Sequence, residues 1–322
     1  MKTLTLVGLM AGVLCSSVVM AQSGAYPNRP IRMISPSGAG GPVDVICRTV
    51  SQGLSEVLGQ QVVVENRVGA AGLIGTEFVA KAAPDGYILL FGFSGPIVIV
   101  PNLNPNTPYD PQRDLVPISQ VAAGPYVLLV HPSVPVKTVK QLATLAKAQP
   151  GKMSFGSGGV GVGLHMAGEL FKVAAGVNIL HVPYKGAAPA MTALMSGEVD
   201  IMFNGMSAAL PFIRNGRVRA LAVGGEKRSA LLPELPTIKD AGFDFNTEGW
   251  YGILAPRATP AAIVKQLHEA TLKALASADT KTTFANMAVE SVGSTPAAFA
   301  QKIREEMAVW AKVIKAAGIK VQ

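Results

Sequence analysis

At 322 residues the chain is longer than one hydrophobic core usually serves, so two domains are expected. Its 28 Lys and Arg residues against 20 Asp and Glu leave a net charge of +8, but those charges are scattered. The densest runs, "RNGRVRA" from Arg214 and the series Lys137, Lys140, Lys147 and Lys152, interleave no aromatics, which argues against nucleic acid as a partner, and two cysteines are too few for a disulfide framework.

The chain opens like a secretory leader. Lys2 supplies the positive start, residues 4–19 are almost wholly apolar, and Val19-Met20-Ala21 predicts cleavage after Ala21, which makes residues 1–21 a signal peptide. The apolar run is shorter than the ~20 residues of a spanning helix, and the polar "QSGAYPNRP" follows at once. Leu14 stands before Cys15, where a lipoprotein signal has Gly, Ala or Ser. Losing the leader removes Lys2 and Cys15, leaving a net charge of +7 on an exported, soluble protein. The remaining Cys47 reads as a small buried hydrophobe, with no partner for a disulfide.

The mature sequence alternates short β-branched strands with helical periodicity, the pattern of an α/β fold. A strand at 31–34 runs into "ISPSGAGGPVD", where glycines free backbone N–H groups and a proline starts a helix, a construction suited to an anion. That helix presents Val43, Ile46, Val50, Leu54 and Leu58 on one face. A strand at 62–64, the helix start "ENRVGAAGLIG" and a strand at 88–93 follow, and residues 101–117 read as a proline-rich loop. A second series puts strands at 126–130, 153–155, 179–182, 201–203 and 219–223, with helices at 139–148, 164–174, 189–195 and 209–215. The last third is helical beyond "WYGILAP". Thr259-Pro260 and Thr295-Pro296 each pair an N-cap with a first-turn proline, and Phe299, Ile303, Met307, Trp310 and Ile314 form the stripe of a final helix that Gly318 ends.

The two series echo one another: "MISPSGAGGPVD" and "MSFGSGGVGVGLH" are each a strand, a glycine turn and a helix start. In separate domains they would face each other across a cleft and clamp one small anion. Gly156-Ser157-Gly158-Gly159-Val160-Gly161 formally matches a dinucleotide fingerprint, but "ILHVPYKG" offers no carboxylate for a ribose. Neither turn is followed by the Gly-Lys-Ser/Thr of a phosphate loop, so no cofactor is expected. No serine sits in G-x-S-x-G and Cys47 has no nucleophile signature, which leaves no catalytic residues. His165 and Glu169 stand one helical turn apart, a spacing open to metal ligation but read as a hydrogen-bonding histidine at a helix start. Asp44 and Asp200 could form a carboxylate pair. "FGFSGP", with Ser94, and "MFNGMSAA", with Asn204 and Met206, carry strands into small-residue loops and are candidate cleft walls. "ENRVGAAGLIG" is read as structural rather than ligand-contacting.

The blocks "YPNRPIRMISPSGAGGPVDVICR", "GQQVVVENRVGAAGLIGTEFVAKAAPDGYILLFG", "HVPYKGAAPAMTALMSGEVDIMF", "LAVGGEKRSALLPELPTIKDAG" and "WYGILAPRATP" resemble, in this order and over essentially the whole mature chain, the substrate-binding proteins of tripartite tricarboxylate transporters, the Bug family. The resemblance implies a periplasmic, two-lobed binding protein of type II, an α/β fold with crossing strands as hinge. Lobe 1 would comprise 22–122 and 224–322, and lobe 2 residues 123–223. It implies a ligand carboxylate pinched by main-chain N–H groups and ordered water. The first pincer would be Ser37, Gly38, Ala39, Gly40 and Gly41 with Asp44 just inside the helix, and the second Ser157, Gly158, Gly159, Val160 and Gly161, up to Gly163, with His165 following. Family members often have Asn where this chain has Val160 and Asp where it has Asn204, which suggests a ligand less polar at its far end than citrate or malate, aromatic or longer aliphatic. A monomer that closes on a small organic carboxylate and delivers it to a membrane permease is the expectation. A carboxylate sensor for a signalling partner and an exported enzyme are the alternatives.

Overall fold

The computed structural model describes residues 26–319, so the expected leader, its cleavage site and Cys15 lie outside the described residues. Among the described residues ten strands form one sheet: β1 (Ile31–Ser35), β2 (Val62–Asn66), β3 (Ile88–Phe93), β4 (Leu115–Val130), β5 (Ser154–Ser157), β6 (Leu180–Pro183), β7 (Ile201–Gly205), β8 (Arg219–Val223), β9 (Glu248–Pro256) and β10 (Glu290–Ser291). The order is β2-β1-β3-β9-β4-β7-β5-β6, with β8 and β10 also paired to β4. β1 pairs in parallel with β2 and β3, and β5 with β6 and β7, so each end of the sheet is a parallel α/β unit. Antiparallel β9 and β4 join the two ends. Helices cover both faces, which is why β3 and the first three residues of β7 are apolar without alternation.

β4 is the main departure from the sequence reading. Residues 101–117 are not one loop: Val100–Leu103 and Pro111–Asp114 are short helices, and a 16-residue strand starts at Leu115 instead of Tyr126. Its first part pairs with β9 from Leu115 to Pro125, and its last part pairs with β7 from Tyr126 onward. Pro117, Gly124 and Pro125 disguise it, because proline and glycine normally interrupt central strands. The strand tolerates them through irregular register at Pro117/Ser119 and at Gln120/Ala122.

The helices follow their sequence signals more closely. Pro42–Leu58 starts with proline in its first turn, ends on Gly59 in the left-handed region, and buries Ile46, Cys47, Val50 and Leu54. Burial pushes the Cys47 thiol up to about 12, which keeps it a protonated core side chain. Pro296–Ala317 is capped by the Thr295 hydroxyl, which accepts the Ala298 N–H at 3.2 Å, and ends at Gly318. At the other expected cap the hydroxyl turns away: Thr259 is buried, its Oγ1 donates to the Pro256 carbonyl at 2.7 Å, and the helix Ala261–Ala276 begins without a side-chain cap.

The final helix seats on the middle of the sheet. Phe299 is fully buried and meets Trp250 edge-on at 5.2 Å, directly over Gly252 of β9. A Cβ at Gly252 would overlap the Phe299 ring and come within 3.0 Å of the Ser119 carbonyl, so the close approach of helix to sheet requires glycine there. Gly252→Val is therefore expected to cost about 1–3 kcal/mol through overpacking, read as a lowered midpoint in urea unfolding. An unchanged midpoint would show that the helix is free to lift.

Candidate functional site

Each parallel end of the sheet carries one strand, turn and helix unit of the kind the sequence shows. In the first, β1 leads through residues 36–41 into Pro42–Leu58. Gly40 takes a φ of +77°, where a side chain would be strained, and its N–H donates to Asp44 Oδ2 at 2.9 Å. Asn66 donates to Asp44 Oδ1 at 2.7 Å and to the Ser37 carbonyl at 3.0 Å, and Arg48 Nε donates to Asp44 Oδ2 at 2.9 Å. Burial alone would raise the Asp44 pKa, but the bonds from Arg48, Asn66 and Gly40 outweigh it and hold the carboxyl below its usual range. Asp44 thus fixes the shape of the turn from behind.

The second unit is braced by histidines. The N–H of Gly161, at φ +80°, donates to His165 Nδ1 at 3.1 Å, and Ser157 Oγ lies 2.7 Å from His181 Nε2 while accepting the Gly159 N–H at 3.2 Å. His165 stacks on His181 at 3.9 Å, and His181 on Phe155 at 4.7 Å. Because Nδ1 of His165 is an acceptor, its proton sits on Nε2, which faces Glu169 Oε1 at 3.7 Å; Lys172 pairs with Glu169 in turn. Burial first, and then the neighbouring His165, lower the His181 pKa to about 4.

Between the two turns lies a cavity of about 400 Å³. Ser37 and Gly38 line it from one side, Gly161, Val162 and Gly163 from the other, and Ser94 and Tyr126 lie where the two sides meet. Among the described residues no acceptor meets the backbone N–H groups of Gly38, Ala39, Val162 and Gly163, as befits a glycine turn and the first residues of a helix. Gly161 also abuts Leu103: a Cβ at Gly161 would stand 2.9 Å from its Cδ1, so the second turn reaches across to the first half.

Of the residues expected to bind, Ser37, Gly38, Ser94 and Gly161 line this cavity. Asp44, Ser157 and His165 stand behind the turns as braces, and Ala39, Gly40, Gly41, Gly158 and Gly159 build the turns without lining it. Val160 is half-exposed and outside the lining. Asn204 is buried with its Oδ1 accepting the Gly205 N–H at 2.9 Å, and Met206 is buried in an apolar cluster, so the "MFNGMSAA" segment does not wall the cavity. "FGFSGP" does, through Phe93, Ser94 and Gly95, but runs into a turn of π-helix (Gly95–Ile99) and not a loop. "ENRVGAAGLIG", read as structural, also lines it, through Val68 to Gly72. Asp44 and Asp200 do not pair: Asp200 accepts the Ser154 N–H at 2.8 Å, at the far end of β5 from the glycine turn.

Tyr126, Trp250 and Tyr251 line the cavity and had no motif to announce them. Their only signal is rarity, since the chain has 2 Trp and 6 Tyr, and these stand in "GPY" and "WYG" beside the strand crossing. Burial pushes the Tyr251 phenol up to about 12 and raises Tyr126 further, so both hydroxyls are neutral donors.

The profile of the tripartite tricarboxylate transporter family receptor matches residues 46–319. The chain belongs to that receptor family. Protein BugT of Bordetella pertussis is 38% identical over 299 residues, covering 92% of each chain. Among solved structures, a Rhodopseudomonas palustris protein, Rpa4515, with adipate is 34% identical with a TM-score of 0.79, covering 92% of this chain and 99% of that one. MatC of the same organism, with bound malate, is 30% identical with a TM-score of 0.77, covering 90% and 100%. Members of the receptor family are periplasmic solute-binding proteins of the two-lobed type II fold and not enzymes, and no helix among the described residues is long and apolar enough to cross a membrane.

Behind the second turn, His181 is the group whose titration reports on that turn. Its folded pKa lies below the ordinary 6.5, so the unfolded chain binds the proton first as pH falls. Its contribution to stability is complete above about 6.5 and is lost progressively toward about 4. The thermal midpoint is expected to fall across that window, and His181→Gln, which still offers Ser157 a partner, to flatten the fall. Equal slopes in variant and wild type would remove His181 as the cause.

Proposed function

We propose that this receptor captures a small organic carboxylate between its two glycine turns by closing two lobes, and delivers it to the membrane permease of a tripartite transporter. The observation that carries this reading is the convergence of unpaired backbone N–H groups, from strand, turn and helix units at opposite ends of the sheet, on one cavity of about 400 Å³. The relatives solved with adipate and with malate support a carboxylate as the ligand.

In this reading residues 22–122 with 224–322 form one lobe and 123–223 the other, and the leader 1–21 is removed after Ala21 on export to the periplasm. β4 crosses between the lobes where its pairing changes from β9 to β7, at Pro125 and Tyr126, and the chain returns after Val223 of β8. A carboxylate held by one turn alone keeps half its oxygens in water. Engaging both turns satisfies them, so binding free energy shifts the open and closed populations toward the closed one. The ligand then rides in a monomer that presents its closed face to the permease.

A thermal-shift screen of the leaderless protein against mono-, di- and tricarboxylates and their amides tests the capture. An acid at ~100 times its Kd adds about 2.7 kcal/mol, a rise of several degrees that its amide does not produce. No shift with any acid, or equal shifts with the amides, would overturn the reading. Gly163→Ala supplies a second check, because a Cβ there would overlap the Tyr126 hydroxyl at the meeting of the two turns. The variant is expected to keep the wild-type circular dichroism and to bind the acid at least tenfold more weakly.

A further inference from the structure

The cavity offers donors but no charged side chain. Unpaired N–H groups stand at the two turns, while the remaining lining is Val43, Val68, Phe93, Trp250, the neutral phenols Tyr126 and Tyr251, and small residues. No Lys, Arg, His, Asn, Gln or Thr occurs among the described residues that line it. Trp250, Arg67 and Arg48, in or beside the lining, have their polar groups already engaged. The Trp250 indole N–H donates to Glu306 Oε2 at 2.7 Å, outside the cavity. Arg67, next in sequence to Val68, lies over the Phe78 ring at 3.5 Å and pairs with Glu65 at 2.6 Å. Arg48 is held by Asp44 and Asn66. Neither Val160 nor Asn204 contributes to this apolar lining, which is set by other residues.

Resting on the reading of this cavity as a carboxylate site, we infer that the receptor selects a singly charged acid with a flat apolar body, and that Val68 and Phe93 determine that choice. One carboxylate satisfies the turns. A second, placed against Val68 and Phe93, would leave water without gaining a cation, which disfavours diacids. The Phe93 ring and the Val68 side chain instead match a ring or an extended hydrocarbon.

Calorimetry on matched pairs separates the possibilities: benzoate against terephthalate, hexanoate against adipate, and benzamide as the uncharged control. The monoacid of at least one pair is expected to bind at least tenfold more tightly than its diacid, with benzamide undetected. Diacids binding as tightly as, or more tightly than, their monoacids would overturn the charge selection while leaving carboxylate capture intact. Benzamide equal to benzoate would overturn carboxylate capture itself and the selection with it, and no acid of the panel binding, where the wider screen finds an acid that does, would overturn the selection alone. Val68 is 56% exposed, so Val68→Arg adds a cation at the wall without disturbing the core. It is expected to move the monoacid-to-diacid preference at least tenfold toward the diacid, and an unchanged preference in a folded variant would remove Val68 from the assignment.

Discussion

The cavity is bordered by backbone N–H groups that nothing among the described residues accepts. A turn with free donors gains by collapsing onto any nearby acceptor, so it keeps its shape only if its other polar atoms are fixed. On one side Asp44 takes the Gly40 N–H while Asn66 holds the Ser37 carbonyl. On the other, His165 takes the Gly161 N–H and His181 meets Ser157. The two turns look alike in sequence yet are braced by opposite chemistry, a carboxylate in one and neutral imidazoles in the other. Both solutions leave main-chain N–H groups of the turns without a partner inside the described chain.

Glycine does three separable jobs around this frame. At Gly40 and Gly161 it permits a positive φ. At Gly163 it leaves room for the Tyr126 hydroxyl, and at Gly252 for the Phe299 ring. The last two tie the cavity to the core, because Trp250 packs on Phe299 on one side and closes the cavity on the other. The wall is therefore as rigid as the packing of the final helix on β9.

β4 makes the two halves one molecule. A strand that changes partners midway gives both halves a shared element, and irregular register with proline at its crossing point limits how tightly that element is tied to either. Its residues were partly illegible for the same reason. "VPISQVAAGPY" contains the punctuation of a loop, and only pairing with β9 on one side and β10 on the other holds it extended.

By itself the sequence determined what local chemistry decides: the alternation of strands and helices, the two glycine turns, the Thr295 cap with its proline, the Gly318 stop and the buried stripe of the last helix. Its ordered blocks also carried the family likeness. Only the tertiary structure decided which side of each turn a residue faces. Asp44, Ser157 and His165 sit within the motifs but brace them from behind, while Val68, Tyr126 and Trp250, distant in sequence, line the cavity. The division has a physical reason. Hydrogen bonds of a turn or cap span a few residues and leave a pattern in the chain, whereas a cavity wall is set by how β3, β9 and the helix starts converge, and no local spacing encodes that.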